Sequence, residues 1–122
     1  MKQFRFEDLT IWQDRIVLAD EMFNIADDIS NKKLYRFGEQ LRGAALSISN
    51  NIAEGSGSFS NKDFANFLVI ARKSIFECAN MLILLERRNL LLDHTRQSLF
   101  ERLQILSSRI TNFRKYLLNN AK

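Results

Sequence analysis

His94 and Cys78 are the residues around which nucleophilic or metal chemistry would have to be built, and each is the single copy of its kind in 122 residues. A metal-binding bundle sets Glu and His at E-x-x-H spacing on facing helices. A lone histidine in a predicted turn, Arg88 to His94, cannot supply that set, so no metal site is expected. A Ser-His-Asp or Cys-His relay needs its members within hydrogen-bond reach. Cys78 instead falls in the middle of an apolar helical stripe, where a buried, inert thiol is expected. The run Ser56, Gly57, Ser58 stands between two predicted helices rather than between a strand and a helix. It reads as a flexible turn, not a phosphate cradle. The expectation is a protein that is not an enzyme, with no catalytic residues, no cofactor and no small-molecule substrate.

The chemistry that remains is that of arginine and lysine toward phosphate. Eighteen basic and fourteen acidic residues give a net charge of +4, and the distribution is uneven. Residues 1–28 hold three basic and seven acidic side chains, net −4, whereas residues 92–122 hold six and two, net +4. Arg102 and Arg109, seven apart, share one helix face, with Arg96, Arg114, Lys115 and Lys122 nearby. Such asymmetry marks either a surface for nucleic acid or two helices that attract each other, within a bundle or across a subunit contact. Multiplied around an oligomer, the charge becomes a strong field for phosphates. The pattern lacks the aromatic platforms of a single-strand binder and the short recognition helix of a helix-turn-helix module.

The elements that must position these residues are all helical. Proline is absent and glycine occurs four times, so little interrupts helix formation between turn signals. Trp12, Ile16, Ala19, Phe23 and Ala26 keep to one face of a first helix running from a Thr10/Gln13 capping box to about Ile29. After the polar turn at residues 30–33, a second stripe runs through Leu34, Phe37, Leu41, Ala44 or Ala45, Ile48 and Ile52, until Gly55 offers a C-terminal cap. Residues 56–60 form a loop, and Ser60 with Asp63 caps a third helix. That helix carries Phe64, Leu68, Ala71, Ile75, Cys78, Leu82 and Leu85 in an unbroken 4, 3 rhythm. Leu99, Leu103, Leu106, Ile110, Phe113 and Leu117 repeat it in a fourth. Helices of roughly 20 residues span ~30 Å, and short connections force antiparallel neighbours. The predicted fold is all-α, an antiparallel up-and-down four-helix bundle, one domain over residues 1–122, with no internal repeat in view. No apolar run has signal-peptide length or reaches the ~18 residues of a membrane span, so the cytoplasm is the expected location and no membrane partner is expected.

Two helices carry more apolar surface than one core needs. On the third, Val69, Phe76, Ile83 and Leu90 form a row beside the seam, broadened by Ile70 and Leu84. On the first, Ile11, Leu18 and Ile25 form an extra row, with Met22 and Ile29 beside it. A soluble monomer rarely leaves such patches in water, so Ile11, Leu18, Ile25, Val69, Phe76 and Ile83 are expected at the contact of a homo-oligomer. In the second helix, Gly43 lowers helix propensity by about 1 kcal/mol relative to Ala, which predicts a close approach of another backbone or a bulky side chain. Asn51, in line with Ile48 and Ala44, is expected to be partly buried, either hydrogen-bonded to a neighbouring helix or turn or touching a ligand. Glu54 reads as a loop-fixing carboxylate.

The stretch QLRGAALSISNNIAEGSGS, the following NKDFANFLVIARKSIFE and the opening FEDLTIWQ resemble the four-helix-bundle proteins encoded in intervening sequences of bacterial 23S rRNA genes. The likeness covers the first three helices; the fourth contributes little beyond its length and stripe. It implies a small up-and-down bundle assembling into a ring, typically a pentamer, and a link to RNA or other nucleic acid through basic surfaces. Arg42, Ser47, Asn51, Glu54, Gly55, Phe64, Ala71, Arg72 and Ser74 fit the family pattern. Ser47, Asn51, Glu54 and Gly55 are then expected to be structural, and Arg42 and Arg72 join Arg96, Arg102, Arg109, Arg114 and Lys115 as candidates for phosphate contact. Two departures stand out: Gly43 and Ser58 occupy positions where the family has arginines.

Overall fold

The structure, a computed structural model, describes residues 9–120 apart from the side chains of Gln13 and Asp14. Four helices follow one another: α1 Thr10–Asn31, α2 Tyr35–Ser56, α3 Asn61–Arg87 and α4 Asp93–Asn119. Each packs on its neighbours in chain order and α1 closes loosely on α4, while the backbones of the diagonal pairs do not come close among the described residues. The fold is the predicted antiparallel bundle around one apolar core.

The seams of α3 and α4 are those their periodicity predicts. Phe64, Leu68, Ala71, Ile75, Cys78, Leu82 and Leu85 are buried, as are Leu99, Leu103, Leu106, Ile110 and Leu117, and Phe113 sits half-buried against them. Each such aliphatic side chain contributes roughly 1.5–3 kcal/mol of burial. Ser60 caps α3 by accepting a hydrogen bond from the Asp63 amide at 3.1 Å. His94 lies inside the first turn of α4 rather than in the preceding turn.

The first helix is rotated part of the way from its predicted face: Ala19 and Ala26 of that stripe are buried, but its larger members are not. Ile11, Leu18, Met22 and Ile29, read as surplus, point into the core, and Leu18, Met22 and Ile29 are at most 1% exposed. Ile16, read as core, is 41% exposed, and Trp12 and Phe23 are only half-buried. Both rows are apolar; the geometry of the bundle decides between them. The long aliphatic row fills the bundle centre, while the alanine edge abuts α2, where a Cβ on Gly38 would come within 3.0 Å of the Ala26 carbonyl. Ile11 and Leu18 are therefore core residues, not surface ones. Thr10 is the first helical residue, preceded by Leu9 with no side-chain cap; the Gln13 side chain and the opening FED, residues 6–8, lie outside the described residues.

Both tight turns end a helix in the same way. Lys33 and Asn89 adopt left-handed backbone, φ 69° and 60°. The next amide reaches back to the carbonyl five residues earlier, Leu34 to Ile29 at 3.1 Å and Leu90 to Leu85 at 2.9 Å. This is a Schellman closure, with Leu90 packed on the core. Gly55 is no cap: it is buried inside α2, where a Cβ would meet Phe64 Cδ1 at 2.7 Å and Phe67 Cβ at 2.8 Å. Gly43, by contrast, faces open space. The predicted close approach at Gly43 does not occur; Gly38 and Gly55 are where the backbones come near.

Candidate nucleic-acid interface

The seven candidate cations divide among three surfaces. Arg42 on α2 pairs with Glu39 and reaches Asp27 of α1. Arg102 on α4 pairs with Glu21 of α1, and Arg109 stands exposed two turns further along the same helix. Part of the attraction between the acidic first helix and the basic last one is thus satisfied inside the bundle. Arg72, Arg96, Arg114 and Lys115 belong to the third surface, the outer face between α3 and α4.

On that face the Arg72 guanidinium lies 4.8 Å above the centre of the Phe76 ring, and Arg96 lies 5.0 Å above Phe100. Both rings line one cleft of about 480 Å³, together with Ala79, Gln104, Ser107 and Ser108. Arg114 and Lys115 follow Ser107 and Ser108 by seven residues, so the helical period carries them two turns along the same side. Arg114 is half-buried, and its Nε makes no hydrogen bond. Arg96 also bonds Glu86 at 3.0 Å and Asp93 at 3.2 Å. The Glu86 hydrogen bond, more than any other influence, raises the Arg96 pKa above its ordinary value. Hydrogen bonding with the Glu86 carboxyl group, then with Arg96, holds Asp93 below the usual carboxylate range. Arg96 is thus partly neutralised, whereas Arg72 and Lys115 are exposed cations.

Phe76 is 57% exposed and Phe100 is half-buried beside it, so two aromatic rings stand on a face where none was expected. The signal was present as two arginine–phenylalanine pairs at i, i+4 spacing, which meet on a helix surface.

Two of the residues expected to be structural, Ser47 and Asn51, take part in a polar contact between α2 and α3. Ser74 of α3 donates to Ser47 Oγ of α2 at 2.8 Å. Asn51 Nδ2 donates to the Ser47 carbonyl at 2.8 Å and to its hydroxyl at 3.0 Å, and this polar clasp joins α2 to α3. Asn51 thus finds its partners on its own helix. The Glu54 side chain is exposed, with no hydrogen bond or ion pair among the described residues, so it fixes no loop here. Of the six expected contact residues, Phe76 and Ile83 are exposed, Ile25 and Val69 are half-buried, and Ile11 and Leu18 are buried. The exposed apolar side chain that α1 does present is Val17, beside Ile16.

No helix among the described residues is long and apolar enough to cross a membrane. A search of the curated proteins finds no significant match. The model of the 23S rRNA-intervening sequence proteins matches residues 7–112, which takes in the α2–α3 clasp and most of the α3–α4 face, and the chain belongs to that family.

Proposed function

We propose that this is a non-enzymatic, self-associating bundle of the cytoplasm that binds RNA or another nucleic acid through the outer face of α3 and α4. One observation carries the reading: on that face Arg72 and Arg96 lie over two aromatic rings, with Arg114 and Lys115 further along α4, and of these four cations only Arg96 is paired with acids among the described residues, Glu86 and Asp93. Phosphate binding of this kind is electrostatic and releases counterions, so affinity falls steeply with salt. Self-association, in the ring that the family likeness implies, is supported by apolar side chains left in water: Ile16 and Val17 on α1, Leu46 on α2, Ile70 and Leu84 on α3.

The test is a gel shift with structured RNA at two salt concentrations. The parent should shift at low salt and lose the shift at high salt. Arg72→Glu with Lys115→Glu should weaken binding across all sequences. Arg42→Glu, on the ion-paired α1–α2 side, should have little effect. No shift at low salt sinks the reading. A scaffold without nucleic acid is the competing one, favoured by the ion pairs that occupy Arg42, Arg96 and Arg102; it predicts no shift at all. Ile70→Glu with Leu84→Glu should lower the mass seen in light scattering.

A further inference from the structure

One five-residue pattern, Arg-x-Ser-aliphatic-Phe, occurs on both walls of the α3–α4 cleft: Arg72-Lys73-Ser74-Ile75-Phe76 and Arg96-Gln97-Ser98-Leu99-Phe100. In each copy the aliphatic residue anchors the segment in the core, Ile75 at 2% and Leu99 at 3% exposure. Arginine and phenylalanine stand four positions apart, so each copy layers a guanidinium over a ring, at 4.8 and 5.0 Å. Because α3 and α4 run antiparallel, the copies meet across the cleft in opposite senses, and both rings line it.

Resting on the nucleic-acid reading above, we infer that this cleft takes the bases of an unpaired strand. Unpaired bases stack on aromatic rings and on guanidinium planes whatever their sequence. A duplex keeps its bases stacked inside and offers mainly phosphates. The cleft volume of about 480 Å³ falls within the roughly 300–1,000 Å³ of sites that enclose small organic groups. Gln104, Ser107 and Ser108 on the α4 wall supply donors and acceptors for base edges, and Lys115 continues the positive track for the backbone. A second copy of this chain would be a poorer occupant. It would bury the exposed Arg72 guanidinium away from water, a desolvation cost, whereas a strand brings phosphates to meet it.

The test is fluorescence anisotropy at low salt with a labelled oligouridylate of about twelve nucleotides, within the span one such surface covers, and with an RNA duplex of equal length. The parent should bind the single strand more tightly than the duplex. Phe76→Ala should weaken single-strand binding about tenfold or more, the effect of losing one stacking ring, and weaken duplex binding far less. Phe76→Trp should retain single-strand binding. Unchanged single-strand binding by Phe76→Ala would overturn the inference. So would a drop in its mass by light scattering, which would mark the cleft as a subunit contact. Binding of the duplex without the single strand removes the inference and leaves the nucleic-acid reading standing; binding of neither by the parent removes both.

Discussion

Arg102 of α4 pairs with the Glu21 carboxylate of α1 across the most loosely packed seam of the bundle. A cleft of about 370 Å³ opens beside the pair, lined by Asn24, Ile25, Ser98 and Leu99 among others. Both side chains are part-exposed, so the pair is worth roughly 0.5–1 kcal/mol at most. Arg102→Glu should lower stability by about that amount, because it sets two carboxylates against each other, and adding Glu21→Arg should restore it. Thermal melts of the single and double variants check this, and the difference should shrink as salt rises.

Gly43 and Gly55 should respond oppositely to a methyl group. A Cβ at Gly43 meets nothing within 4 Å, so Gly43→Ala should gain about 0.5–1 kcal/mol from helix propensity. A Cβ at Gly55 would crowd Phe64 and Phe67, so Gly55→Ala should lose about 1–3 kcal/mol through overpacking. Urea unfolding of the two variants measures both signs.

Lys33 and Asn89 hold left-handed backbone at the two Schellman turns. For a side chain with a Cβ that conformation costs about 1–2 kcal/mol, less for asparagine. Lys33→Gly should therefore stabilise the protein by up to about 1 kcal/mol, since glycine also adds freedom to the unfolded chain. Asn89→Gly should gain less. The difference between their urea midpoints checks the ranking.

The Cys78 thiol is pushed up to about 12, first by burial, then by the Glu77 charge, against the opposing effect of Arg15. At neutral pH it should react with a disulfide reagent only as fast as the protein opens. Below the ordinary thiol pKa both folded and unfolded states keep the proton and stability is unaffected. Above it the unfolded thiol ionises and the folded one does not, so stability should fall by up to ~1.4 kcal/mol per pH unit until about pH 12. Cys78→Ala should remove that part of the slope, read from urea unfolding of parent and variant at pH 8 and pH 10.

The seams of α3 and α4 and the Ser60 cap were legible because each rests on a local pattern with one reading. On α3 the unbroken 4, 3 run from Phe64 to Leu85 is longer than the apolar row beside it, Leu103 on α4 has no competing row, and Ser60 needs only the amide three residues on. On α1 two apolar rows lay side by side and hydropathy could not choose between them; the geometry of the bundle chose Leu18 and Met22 over Ile16. Gly43 and Gly55 look alike in sequence, yet only the position of α3 shows which one lies against a neighbour.

For the candidate site, the amino-acid order alone determined the fold class, the α3 and α4 cores and the excess of positive charge near the C-terminus. Periodicity and composition are local properties, and burial of apolar stripes in helices joined by short turns follows from them. Tertiary structure decided which arginines are tied up by acids and which are layered on rings. Arg102 meets Glu21 from 81 residues away, and Phe76 and Phe100 share a cleft only because α3 and α4 lie side by side in opposite directions. Charge and aromatic chemistry belong to the residues; the neighbours that neutralise or expose them are set by packing between segments far apart along the chain.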